Sequence, residues 1–229
     1  MSTLGRTFVV LVGKEWRLEC RSRDLVTLLL CTGIMMAALI GAGVSSSILE
    51  DRVVQRLFPM LLWLAFLFST VASLTRSHEN ELEGHGFEGL LLSGVDGSVM
   101  YAAKVVVLTI LLSLSFVATA GALGVALNRE LFDIFPHLLV IGALTSVGIA
   151  SLTVLLSAVA STSRMKGVLL PILTFPLLFP YFFAGLELTS TLFEVRRLDL
   201  SSIWISLLVG ADVVFFLLGL NLYELVLRD

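Results

Sequence analysis

Residues 25–44 read LVTLLLCTGIMMAALIGAGV, twenty consecutive positions without one charged side chain. A helix rises about 1.5 Å per residue, so about 20 such residues cross a hydrocarbon layer of about 30 Å. Five further blocks of similar length follow: Leu57–Leu74, Val105–Leu127, Pro136–Ala160, Val168–Leu186 and Ile203–Leu225. None has the period-two alternation of a barrel strand, and inside lipid only helices and closed barrels satisfy their own backbone. The sequence therefore predicts an all-α, polytopic membrane protein with six transmembrane helices in one domain over residues 1–229.

Composition agrees. Of the 229 residues, 57% are hydrophobic and only 14% charged, against about 25% charged in ordinary soluble domains. Mean hydropathy is +1.00. The net charge of −3 matters less than where the cations sit. Arg6, Lys14, Arg17, Arg21, Arg23, Arg76, Lys104, Arg164, Lys166 and Arg228 fall on one side of the six spans. Arg52, Arg56, Arg129, Arg196 and Arg197 fall on the other. Ten against five assigns the first set, with both termini, to the cytoplasm by the positive-inside rule. The first apolar run follows a basic stretch as a signal peptide does, but five more spans follow it, so it is read as a retained span. Cys20 and Cys31 form no Cys-x-x-Cys and are expected as reduced, unpaired thiols.

Outside the spans, Leu4, Phe8, Leu11, Val12 and Trp16 recur at helical spacing, with Arg6, Lys14, Arg17 and Arg21 roughly opposite. This predicts an N-terminal interfacial helix lying on anionic lipid. Glu15 and Glu19 intrude on its apolar face. The fourth and fifth spans are joined by a tight hairpin over Ser161–Gly167.

The stretch Thr75–Lys104 is the most informative part outside the spans. Acidic residues cluster at Glu79, Glu81, Glu83 and Glu88, then Gly89, Leu90, Leu91, Leu92 and Ser93 follow, and Gly94, Asp96 and Gly97 mark a turn. Three leucines within a charged rim suit a short amphipathic helix that docks a soluble partner at the cytoplasmic face. His78 and His85 lie in the same stretch at spacings that match no metal pattern, so no metal site is expected. His137, at the outer end of the fourth span, is expected to be satisfied by backbone or water. Pro171, Pro176 and Pro180 each remove a backbone donor from the fifth span, marking a kinked helix that either gates or merely packs. Gly33, Ala37 and Gly41, and Gly142, Ser146 and Ala150, stand four apart, the spacing of close helix approach. Asp212 stands mid-span in the sixth apolar block with no Lys or Arg inside any other span to pair with. An ionised carboxylate there is costly, so it is neutral, faces a wet cavity or hydrogen-bonds to a neighbouring helix.

There is no Gly-x-x-x-x-Gly-Lys-Ser/Thr loop, no His-Glu-x-x-His and no Gly-x-Ser-x-Gly. Any energy source must be a partner chain or an ion gradient. With these segments in view, the chain resembles the CcmB family, the haem exporter protein B permeases of cytochrome c maturation. The resemblance rests on Phe58-Pro59-Met60-Leu61-Leu62-Trp63, on Glu88 to Asp96 followed by Lys104, and on Val168-Leu169-Leu170-Pro171 with Pro176 and Pro180. Asp212 and Tyr223-Glu224-Leu225-Val226 also fit. Gly94 stands where the family usually has proline, and Met60 where it usually has glycine. The Gly84-His85-Gly86 stretch is unusual.

The resemblance implies an ABC-2-like permease subunit of a bacterial inner membrane, not itself an enzyme, that binds no cofactor of its own. It implies ATP hydrolysis in a cytoplasmic CcmA-like partner, CcmC-like and CcmD-like membrane subunits alongside, and haem as cargo, with no nucleic acid. ATP hydrolysis could instead release a haem-loaded chaperone. Three rivals stand beside it: an ABC-2 exporter of lipid, drug or polysaccharide, an intramembrane enzyme, and an ion-coupled carrier using Asp212.

Overall fold

The computed structural model describes residues 3–22, 24–45, 50–83, 96–161 and 166–228. They form seven α-helices and, among the described residues, no strand: α1 (Thr3–Ser22), α2 (Asp24–Ser45), α3 (Asp51–Glu83), α4 (Gly97–Ala126), α5 (Phe135–Ser161), α6 (Lys166–Val195) and α7 (Ile203–Arg228). Five of them, α2, α3, α4, α5 and α7, are long and apolar enough among the described residues to cross a membrane. The fifth predicted block lies inside α6, a 30-residue helix whose side chains are described from Pro176 onward. The protein is a polytopic all-α membrane protein.

Burial orders the helices. In the apolar window of α5, 72% of residues are buried, against 28% in α2 and 22% in α7. The central pair is α4 and α5: α4 packs on α1, α2, α3, α5 and α7, and α5 on α3, α4, α6 and α7. The faces of α2 and α7 turned away from this core carry Met35, Leu39, Val213, Val214 and Leu217, all exposed, as side chains meant for lipid would be.

No hydrophobic effect drives helices together where the surroundings are as apolar as the helix faces, so close packing and internal hydrogen bonds must do it. The small-residue spacings supply the first. Gly33, Ala37 and Gly41 are all buried on one face of α2. A Cβ at Gly33 would strike Thr119 of α4, and one at Gly41 would strike Ala126 of the same helix. On α5, Gly142 receives the Phe116 ring of α4, and Ser146 and Ala150 are fully buried. Three more glycines seat aromatic rings: Gly148 takes Tyr181, Gly185 takes Trp63 and Gly219 takes Tyr101.

Helix ends are set locally. Asp96 is the N-cap residue of α4, its carbonyl accepting from Val99 N at 3.1 Å. At the other end of α4 the chain turns through Asn128, with φ 50°. Arg129 N donates to Gly124 O at 2.8 Å, and Asn128 N to Val125 O at 3.2 Å. These two bonds around a left-handed residue make the Schellman closure, which asparagine tolerates better than most residues. Arg129 Nη2 then reaches Asp51 at the start of α3, bonding both its carbonyl and its Oδ1 at 2.9 Å. Asp51 is nearly fully exposed, so this pair fixes the loop's direction more than it stabilises the fold.

Hydropathy places the apolar centres of the helices but not all of their ends. The predicted spans Leu25–Val44 and Pro136–Ala160 lie one residue inside the ends of α2 and α5. By contrast, α3 runs from Asp51 to Glu83, well past the expected Leu57–Leu74, and α4 begins at Gly97, eight residues before Val105. The stretch expected as a connector from Thr75 to Lys104 is therefore helical at both ends. A helix does not stop where the hydrocarbon stops, and once nucleated it continues through polar residues that keep its backbone bonded.

Gly142→Ala should lower the melting midpoint of the detergent-purified protein by several degrees, in line with the ~1–3 kcal/mol of an overpacked core. Gly121→Ala on α4, where an added Cβ meets nothing within 4 Å, should leave the midpoint unchanged or raise it slightly. Equal midpoints for the two variants would contradict the packing described.

Candidate functional site

The segments that the sequence singles out fall in three places. At one end of the bundle, Glu79 and Glu81 belong to the last turns of α3. Glu88, Gly89, Leu90, Leu91, Leu92 and Ser93 lie outside the described residues, as does His85. Lys104, on the second turn of α4, lines a small cavity of about 40 Å³ together with Glu15 and Glu19 of α1 and Leu25, Val107, Leu108, Leu111 and Val154. This accounts for the two acids that interrupt the apolar face of the N-terminal helix. Leu11, Glu15 and Glu19 point toward α4, where Lys104 offers the opposite charge. Val9 and Trp16 are exposed beside that face, and Arg6, Arg17 and Arg21 are exposed beyond them. The acids of the helix thus face protein, while its arginines and several of its apolar side chains, Val9, Val10, Trp16 and Leu18, are exposed.

The second place is a band of hydroxyls inside the bundle. Ser69 Oγ of α3 donates to the Leu29 carbonyl of α2 at 2.7 Å. Ser115 Oγ of α4 lies 3.2 Å from both that carbonyl and Ser69 Oγ, and Thr32 Oγ1 is 3.2 Å from Ser69 Oγ. Three helices therefore meet through side-chain oxygens on one carbonyl. Sequence reasoning passed over these residues. The available signal was Ser or Thr inside an apolar span, at Thr32, Ser69 and Ser115. Their neighbour is the aromatic group of Trp63, Phe66, Phe116 and Phe182, with ring centroids 5.1–5.9 Å apart. Trp63 Nε1 donates to Thr189 Oγ1 of α6 at 3.0 Å, which meets the indole's one polar demand inside the bundle.

Two of these rings, Trp63 and Phe182, form the floor of a groove of about 230 Å³ between α3 and α6. Met60, Leu64 and Leu67 line one wall and Phe179, Phe183 and Leu186 the other. Phe179 and Phe183, one turn apart, stack at 5.9 Å with 17° between their planes. The groove is open at the bundle surface, and its exposed Met60, Leu64, Phe179 and Phe183 face what surrounds the protein.

The third place is Asp212. It is buried on α7 and lies with Tyr181 of α6 over the Cα of Gly148 on α5. Tyr101 of α4 donates to the Ser151 carbonyl at 2.9 Å and lies 3.4 Å from the Phe215 carbonyl. Its ring meets those of Phe216 and Tyr223 at 5.8 and 5.5 Å. Asp212 thus sits at a junction of helices, and among the described residues its Oδ1 has no hydrogen-bond partner. Tyr181 and Tyr101 were not legible as its surroundings, because their contacts cross between helices distant in sequence.

The prolines stand on one helix. α6 spans Pro171, Pro176 and Pro180, and the side chains of Pro176 and Pro180 are exposed. The same helix carries both the groove wall and Tyr181. His137 keeps a buried Nδ1 with no hydrogen-bond partner among the described residues, so the backbone contact expected for it is not made at that nitrogen. Cys20 and Cys31 are free and exposed.

A helical bundle with lipid-ready outer faces and an internal polar band is a polytopic membrane protein, of the kind that transporter subunits are built from. The chain belongs to the CcmB protein family, a transporter permease family, whose pattern matches residues 6–221. No curated protein matches the chain.

Ser69→Ala should cost about 0.6 kcal/mol if its bond resembles the average measured between membrane helices, read as a lower melting midpoint. Ser115→Ala made in the Ser69→Ala background should then cost less than in the wild type, since the two hydroxyls share one carbonyl. Strict additivity of the two would show that they act separately.

Proposed function

We propose that this protein is the membrane-spanning subunit of an ABC-type complex that serves haem delivery for cytochrome c maturation. The observation that carries this reading is the family match over residues 6–221 on a bundle with five helices long enough to cross a membrane. The chain carries no phosphate-binding loop of its own, so ATP is hydrolysed in a cytoplasmic CcmA-like subunit, with CcmC-like and CcmD-like subunits in the same assembly. The cargo reading is haem, and a variant of the same mechanism has ATP hydrolysis release a haem-loaded chaperone. The membrane is the bacterial inner membrane, crossed six times with α6 as the fifth crossing helix, and both termini are cytoplasmic.

In this reading the segment from Glu79 to Ser93 receives the ATPase. It joins the cytoplasmic ends of α3 and α4, so movement there is passed to the groove wall and to the central helix of the bundle. Leu90, Leu91 and Leu92 are the apolar anchors, and Glu79, Glu81 and Glu88 form the charged rim. Pro171, Pro176 and Pro180 let α6 bend, since each removes a hydrogen bond that would resist bending.

Leu91→Asp should insert normally but lose the ATPase from the purified complex and abolish cytochrome c assembly. Wild-type ATPase yield together with normal cytochrome c would remove the segment from the coupling role. Orientation is tested with a membrane-impermeant thiol reagent on intact spheroplasts, in a background with Cys20→Ser and Cys31→Ser. A cysteine replacing Ser201, exposed between α6 and α7, should label, and one replacing Asp96, exposed ahead of α4, should not. The reverse pattern would invert the topology.

A further inference from the structure

Three polar atoms where α5, α6 and α7 meet stand out because each is buried and, among the described residues, none has a hydrogen-bond partner: Asp212 Oδ1, Tyr181 Oη and Ser151 Oγ. Their residues are 7%, 1% and 0% exposed. They come from three different helices, α7, α6 and α5, and they converge. Asp212 Oδ1 and the phenol ring of Tyr181 both overlie Gly148. Ser151 is three positions further along α5, on the same side of that helix as Gly148. The group is closed by Phe215, whose ring is 6.2 Å from that of Tyr181. The Phe215 carbonyl lies 3.4 Å from Tyr101 Oη, the hydroxyl that also bonds the Ser151 carbonyl.

Leaving a polar group unpaired away from water costs about 1–3 kcal/mol, and three in one place would be a heavy burden on a bundle with little hydrophobic driving force. A direct bond from Tyr181 to Asp212 would answer two of the three and leave Ser151 with nothing. A buried water typically makes about three hydrogen bonds to otherwise unsatisfied groups, which is the number of groups offered here. A water held among them would donate to Asp212 Oδ1, accept from Tyr181 Oη and share its remaining bond with Ser151 Oγ.

We propose that Asp212, Tyr181 and Ser151 form a binding site for a buried water molecule at the junction of α5, α6 and α7. The site is independent of which cargo the complex handles. Gly148 is required there because any side chain would drive Asp212 and Tyr181 out of register with each other. Tyr181 follows Pro180 directly on α6, so a change in the bend of that helix alters one arm of the site and leaves the other two in place. The water thereby lets α6 shift against α5 and α7 without stranding a carboxyl group in hydrocarbon.

The test is infrared spectroscopy of the purified full-length chain in lipid nanodiscs, equilibrated in ordinary and in ¹⁸O-labelled water. The wild type should show an ¹⁸O-sensitive O–H stretch of a strongly hydrogen-bonded buried water. Tyr181→Phe, which keeps the ring over Gly148, should shift or remove that band. Ser151→Ala should shift it, and Asp212→Asn should shift it without abolishing it. The site is refuted if the ¹⁸O-sensitive bands of the wild type and all three variants superimpose. It is equally refuted if Tyr181→Phe moves only an Asp212 carboxyl band with no ¹⁸O-sensitive change, which would reveal a direct carboxyl–hydroxyl bond instead.

Discussion

Inside hydrocarbon, a polar group has only the protein to bond with, and apolar faces gain nothing by leaving the lipid for one another. The features of this bundle follow from that pair of constraints. Helices must approach closely enough for dispersion contacts to accumulate, so glycine stands where a neighbour's ring, hydroxyl or methyl comes nearest, at Gly33, Gly41, Gly142, Gly148, Gly185 and Gly219. Hydroxyls must return to carbonyls, as Ser69 does to Leu29 and Tyr101 to Ser151. Thr119, Thr145 and Thr153 each fold back onto the carbonyl four residues earlier, at 2.6–2.9 Å. The large side chains left outside, such as Leu39, Val214 and Phe179, need no partner because lipid accepts them.

The same constraint divides what could be known from the sequence from what could not. Charge-free runs of about twenty residues made the apolar parts of the helices legible, and the small-residue spacings marked close helix approach at Gly33, Gly41 and Gly142, each of which meets α4. The length of α3 beyond Leu74 was not legible, since hydropathy reports the hydrocarbon and says nothing of where a helix frays in water. Glu15 and Glu19 looked like flaws in an amphipathic helix because their counterpart, Lys104, is about ninety residues away in sequence. Asp212 could be singled out by its isolation in an apolar span. That Tyr181 and Gly148 surround it is a fact of three-helix packing that no local pattern carries. The docking residues Leu90–Leu92 remain a proposal from sequence, resting on their composition and on the helices that flank them.

One helix links the separate features. α6 carries the prolines, forms a wall of the aromatic groove, receives Trp63 at Gly185 and bonds it at Thr189, and brings Tyr181 to Asp212. Its partners α3 and α5 are otherwise tied to the rest of the bundle by the Ser69 and Tyr101 bonds. On the proposed reading, work done by an ATPase at the cytoplasmic ends of α3 and α4 has a short mechanical route to α6. The groove opens on that helix and is the first surface that such a movement would reshape. Its walls are wholly apolar side chains, suited to a hydrophobic occupant and unsuited to an ion or a sugar.

On the proposed function, this chain is needed for haem to reach c-type cytochromes. The most direct measurement is covalent haem on c-type cytochromes, by haem staining of membranes from cells lacking the chain, with and without a restored wild-type copy. The deletion should lose stained cytochromes while apocytochrome is still synthesised, and complementation should restore them fully. Normal haem attachment in the deletion would contradict that function.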